Sequence, residues 1–161
     1  MVSINVWRQL PRERRQLVPF TTSTGMAGQP WYKPFKVATI PLIAGAQNAF
    51  CLNWQNPESV PIMVFHVIIN VTVAGVATSV IDLGPAIAVD THSDTLIDGA
   101  ALDGAPPYYL NSFDDAGGNG VAFALLNENG GTTDWITGQI LTAAGTNLAG
   151  TVYILYTTMD Y

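Results

Sequence analysis

From Pro61 to Val73 the chain reads Pro-Ile-Met-Val-Phe-His-Val-Ile-Ile-Asn-Val-Thr-Val. Every odd position from Met63 to Val73 is apolar, while the even positions turn polar at His66, Asn70 and Thr72. A strand sends alternate side chains to opposite faces, so the pattern predicts one wholly apolar face, with Met63, Phe65, Val67, Ile69 and Val71 turned to a core. Eight of the twelve residues after Pro61 are β-branched, which disfavours helix and suits a pleated surface. On this reading Phe65→Ala costs on the order of 3–5 kcal/mol, the range for deleting a buried aromatic. The uncharged run from Ser59 to Ile81 is long enough to span a bilayer. The period of two, the Ala74-Gly75 break and the lack of flanking Lys or Arg point instead to two strands joined by a turn.

Seven further apolar runs recur along the chain: Val37–Ile43, Ala49–Trp54, Ala77–Leu83, Asp94–Ile97, Val121–Leu126, Asp134–Leu141 and Thr151–Met159. Turn residues separate them at Gly45, Asn56-Pro57, Ala74-Gly75, Gly84-Pro85, Asn129-Gly130-Gly131 and Gly145-Thr146-Asn147. No window of ten residues has helical periodicity. Eight short strands at this spacing predict an all-β protein, an antiparallel β-sandwich or barrel, with an eight-stranded jelly roll the natural choice. Strand count alone does not separate that fold from an immunoglobulin-like sandwich. The long Gly99–Gly120 connection, with Pro106-Pro107, Tyr108-Tyr109 and Asp114-Asp115, is expected to be functional or to bury against a neighbour.

Composition changes this picture mainly through charge. Hydrophobic residues make up 48% of the chain and charged residues only 11%, so part of the surface is expected to be hidden against partners. All six cations, Arg8, Arg12, Arg14, Arg15, Lys33 and Lys36, fall in the first 36 residues beside Glu13 alone, a net charge of +5. The remaining eleven acids and no base occupy residues 37–161, a net charge of −11. Residues 1–36 have no sustained period and are interrupted by four prolines, which predicts an extended basic N-terminal arm on an acidic 37–161 sandwich domain. In that arm Trp7, Leu10, Leu17, Val18 and Phe20 interleave with the arginines, the mixture of apolar anchors and forked donors that enriches protein interfaces. The expected partner-binding residues are therefore Trp7, Arg8, Arg12, Arg14, Arg15 and Phe20, with Tyr108 and Tyr109 as an interface loop. Nucleic acid is not an expected partner, because the few net arm charges offset few phosphates and the acidic body repels them. The single cysteine, Cys51, allows no internal disulfide, and no apolar signal core opens the sequence, so synthesis in the cytoplasm is expected. The Asn70-Val71-Thr72 sequon then reads as accidental.

Catalytic motifs are sparse. There is no Gly-x-Ser-x-Gly, no phosphate loop and no His–Cys pairing at motif spacing, and Cys51 reads as a buried thiol. His66 reads as a hydrogen-bonded interior or interface residue. Asp90, His92 and Asp94, with Asp82 and Asp98 nearby, could gather oxygen donors around a divalent cation, but they lack calcium-loop spacing. Asp114 and Asp115 read as solvated loop acids. No enzyme activity and no cofactor are expected.

The run Ser79-Val-Ile-Asp-Leu-Gly-Pro-Ala, its continuation Ser93-Asp-Thr-Leu-Ile-Asp-Gly, the Gly/Asn-rich loop and the closing Gly150-Thr-Val-Tyr-Ile-Leu-Tyr resemble small structural proteins of tailed bacteriophages. These are head decoration or cement proteins of β-sandwich type. The resemblance covers residues 79–157 and leaves out the arm and the Pro106–Tyr109 segment. It implies a non-catalytic homo-oligomer, a trimer by preference, that binds the major capsid protein on the exterior of the virion. The alternatives are a single-jelly-roll coat, tail or spike component, or a carbohydrate- or receptor-binding module using Trp54, Tyr108 and Tyr109.

Overall fold

The structure, a computed structural model, describes residues 34–76, 78–142 and 147–159. Apart from Pro34, Phe35 and Lys36, the basic segment lies outside the described residues, and with it Trp7, Arg8, Arg12, Arg14, Arg15 and Phe20. The described chain is all-β, with nine strands: β1 (Lys36–Leu42), β2 (Phe50–Gln55), β3 (Ile62–Val73), β4 (Val80–Ala86), β5 (Ile97–Ala101), β6 (Tyr108–Asn111), β7 (Ala124–Leu126), β8 (Trp135–Ile140) and β9 (Ala149–Thr158). They form two antiparallel sheets, one in the order β1-β9-β3-β6 with β7 also on β3, the other in the order β2-β8-β4-β5. β6 pairs with Ile68–Val71 and β7 with Ile62–Val64, so the two share a single edge position on β3. Counted that way, the chain changes sheet at every connection except β4–β5. This is the jelly-roll order, not the immunoglobulin one.

The sheets pack through one apolar layer. Val67, Ile69, Val71, Val152 and Ile154 from the first sheet and Leu52, Ile81, Leu83, Ile136 and Ile140 from the second all have 1% exposure or less. Each such side chain contributes roughly 1.5–3 kcal/mol by leaving water. Gly138 sits in this layer opposite Leu52 and Leu83, where an added Cβ would stand 3.2 Å from that of Leu52.

The pairing of β3 to β9 slips twice, at Phe65 and at Thr72, and the first slip breaks the period of two within the buried run. Val64 faces Tyr156 and His66 faces Leu155 on β9, so Phe65 is an extra residue, a β-bulge that shifts the alternation by one. Ile62 and Val64 are buried before it, and Val67, Ile69 and Val71 after it. Met63 and Phe65, expected in the core, are therefore half-buried on the outer face, where Phe65 meets the Phe35 ring edge-on at 5.1 Å. On the β6 side the Val67 N–H meets a side chain and not a main-chain oxygen. Ser112, fully buried where β6 ends, accepts that N–H on its hydroxyl at 3.1 Å and donates its own N–H to Val67 O at 3.0 Å.

Two other strand limits differ from the sequence pattern. Gly84-Pro85, read as a turn, lies inside β4, because Gly84 has no Cβ to meet Ser93 and Thr95 of the crossing loop and Pro85 lies beyond Leu83, the last residue paired to β5. The Gly99–Gly120 connection contains β6, four residues whose pairing to the edge of β3 outweighs the prolines and acids around them.

Candidate functional site

The outward positions of the β1-β9-β3-β6/β7 sheet carry no charged residue. Val37, Tyr109 and Leu125 are exposed there, with Tyr153, Leu155 and Ile68 half-buried beside them. Thr39, Asn70, Thr151 and Thr157 share this face, so it is uncharged and mixed, and its exposed apolar positions are the ones a partner would cover.

Next to the β3 bulge this face deepens into an open groove of about 490 Å³, lined by His66, Ile68, Tyr109, Asn111, Phe113 and Asp114. Its far wall is a turn fixed by Asn111. The Asn111 carboxamide oxygen accepts the backbone N–H groups of Phe113 (3.0 Å) and Asp114 (3.1 Å), and its amide donates to the Asp114 carboxylate at 2.8 Å. Asp115 secures the same turn by accepting the Asn111 N–H at 2.7 Å. So held, Phe113 lays its ring over His66 with centroids 4.3 Å apart. Burial lowers the His66 pKa below its usual 6.5, with the Asp114 carboxylate acting in the opposite sense. The imidazole is thus neutral at pH 7, with a lone pair on one ring nitrogen. His66 Nδ1 and Asn70 Oδ1, both on the strand that floors this region, are buried with no hydrogen-bond partner among the described residues. Buried polar atoms left in that condition are costly and call for a partner.

Tyr108 and Tyr109, taken together from sequence, point to opposite faces. Tyr109 is 65% exposed on the groove, whereas Tyr108 packs against the core with its ring over Gly104. Burial raises the Tyr108 pKa, the backbone contact at Gly104 opposing and the Asp103 charge adding to it. Trp54, the third aromatic of the sugar-binding alternative, stacks on the buried Tyr156 at 5.4 Å. Of that trio only Tyr109 is open to a ligand.

The acids near the β4–β5 hairpin come together in part. Asp82, Asp94 and Asp98 place carboxylate oxygens within 4.8 Å of one another, a hard-oxygen set of the kind divalent cations use, while Asp90 does not join them. Those carboxylates already have hydrogen-bond partners. Asp82 accepts from Gly99 N–H and binds His92 Nε2, each at 2.7 Å. Asp98 accepts from the Gly118 and Asn119 N–H groups at 3.2 Å, and Asp94 from the Asn119 amide at 3.0 Å. The cluster ties two loops to the hairpin. Cys51 is fully buried, and burial pushes its thiol up to about 12, which removes it as a nucleophile at neutral pH.

Phe113 and Asn111 are the site residues sequence reasoning did not single out. The Asn-x-x-Asp spacing of Asn111 and Asp114 is a usable turn signal, but the stacking of Phe113 on His66 depends on strand pairing between segments far apart in the chain. Comparison with protein-family models, with curated proteins and with solved structures gave no match.

Proposed function

We propose that the protein is a non-catalytic virion structural component, a decoration protein that binds the outside of an assembled phage head and stabilises it. The observation that carries this reading is the uncharged, aromatic outer face of the β1-β9-β3-β6/β7 sheet on a chain whose charge is otherwise segregated into a +5 segment and a −11 body. Such a face suits a permanent partner, and the segregated charge suits contact between copies and with a shell beneath. The resemblance of residues 79–157 to tailed-phage head accessory proteins supports the same assignment and favours a trimer on the capsid exterior. The arm, with Trp7, Arg8, Arg12, Arg14, Arg15 and Phe20, reaches across a subunit boundary, and the major capsid protein and further copies of this chain are the partners.

A second reading, a single-jelly-roll coat or spike component, is favoured by the strand order itself, since jelly rolls build capsids as well as decorate them. Co-sedimentation with preassembled empty heads separates the two: a decoration protein binds finished shells, whereas a coat component is needed for shells to form. The decoration reading fails if finished heads sediment without it. A variant beginning at Thr21 is expected to lose most of its binding to heads, and undiminished binding would remove the arm from the reading.

A further inference from the structure

The groove at the β3 bulge is lined by one charged side chain, the Asp114 carboxylate, and by neutral His66 under the Phe113 ring. Asn70 is not part of that lining; its Oδ1, like His66 Nδ1, is buried without a hydrogen-bond partner among the described residues. The groove walls are flat and aromatic, with Tyr109 65% and Phe113 59% exposed. A group that fits must be planar, cationic and rich in donors. Guanidinium has five N–H donors in one plane, accepts nothing and stacks on aromatic faces. An ammonium would meet the charge but not the stacking.

The chain supplies that group in one place only: its four arginines lie between residues 8 and 15, interleaved with the apolar residues that an aromatic-walled groove would also accept. We propose that the groove lined by His66, Tyr109, Phe113 and Asp114 is the socket for one arginine of the Arg8–Arg15 segment of a neighbouring copy. This rests on the reading of that segment as an arm that crosses a subunit boundary. It assigns the arm a definite receptor on the jelly roll and makes the assembly contact charge-assisted as well as apolar.

Two full-length variants test it. Arg8, Arg12, Arg14 and Arg15 changed to serine gives a chain with an intact groove and a disarmed segment. Tyr109→Ser with Asp114→Asn gives the converse. Tyr109 is exposed and the replacement carboxamide keeps an oxygen for the Asn111 amide, so the fold is retained, as circular dichroism will show. In sedimentation velocity each variant alone is expected to self-associate at least about tenfold more weakly than wild type. An equimolar mixture should recover part of that association, because the intact arm of one chain finds the intact groove of the other. Failure of the mixture to recover overturns a contact between copies. Single Arg→Ser changes should show one dominant arginine, and four equal, salt-erased losses would mean diffuse attraction and no socket. If the disarmed variant loses binding to heads while the groove variant keeps it and self-associates normally, the arm reading stands and the socket falls. If the disarmed variant binds heads as wild type does, the arm reading itself is lost.

Discussion

The outer face of the β2-β8-β4-β5 sheet is closed by the chain's own Ile87–Leu96 loop, whereas the outer face of the β1-β9-β3-β6/β7 sheet has no such cover among the described residues. On the closed side Thr137 donates to Thr91 O at 2.7 Å, Asp82 holds His92, and Gly84 leaves room for Ser93 and Thr95. Asp82 and Thr137 are buried there, and both are partnered. On the other side the outward strand positions are uncharged, a mixture of apolar residues with threonines and asparagines, and the two orphaned polar atoms of His66 and Asn70 lie on that strand face. The same fold thus lays a loop over one face and leaves the second without one among the described residues.

Stability should then reside in the inner layer and the loop-covered face, and substitutions should rank accordingly. Ile69→Ala, fully buried in the shared layer, is expected to cost about 2–5 kcal/mol in denaturant unfolding. Gly84→Val drives a side chain into Thr95, whose backbone nitrogen would stand 2.9 Å from the new Cβ, and should cost about 1–3 kcal/mol by lifting the loop. No change at Gly84 would mean that the loop does not lie down on the sheet in solution. Phe65→Ala is expected to cost about 1–2 kcal/mol, because the bulge puts the ring on the open face; a loss of about 3–5 kcal/mol would return Phe65 to the core and erase the bulge.

The smallest effect concerns pH. Because the folded His66 pKa is lowered, the unfolded chain binds the proton more readily, so this contribution is present above about pH 6.5 and is lost as pH falls through that value toward the lower folded pKa. Thermal midpoints of wild type should therefore drop more between pH 7 and pH 5 than those of His66→Gln. Parallel curves would show that the ring is fully solvated and the groove open.

Much of this architecture was legible in the alternation of residues. Val37–Ile43, Ala49–Trp54, Ile62–Val73, Asp134–Leu141 and Thr151–Met159 each correspond to a strand within two residues at either end, because each pairs along most of its length and its pattern reports real burial. What escaped depended on geometry at a distance. Counting by twos through β3 carried Met63 and Phe65 to the wrong face, since an inserted residue changes phase without changing composition. Tyr108–Asn111 was hidden because a four-residue edge strand is held by its neighbour more than by its own propensity. The socket shared that fate: His66 stood out as a polar residue on an apolar strand, but Asn111, Phe113 and Asp114 reach it only through the β3–β6 register.

The divided edge formed by β6 and β7 has a consequence for how one sheet could pair with another. Twelve residues of β3 offer a long pairing line, yet the chain occupies it with a four-residue and a three-residue strand, separated by the Ser112–Phe123 connection. The opposite edge, β1, carries Pro41, which has no N–H to offer. Neither border of the sheet presents the long, flat row of free backbone groups on which one sheet templates another. Both borders are thus poor templates for edge-to-edge addition of a further strand.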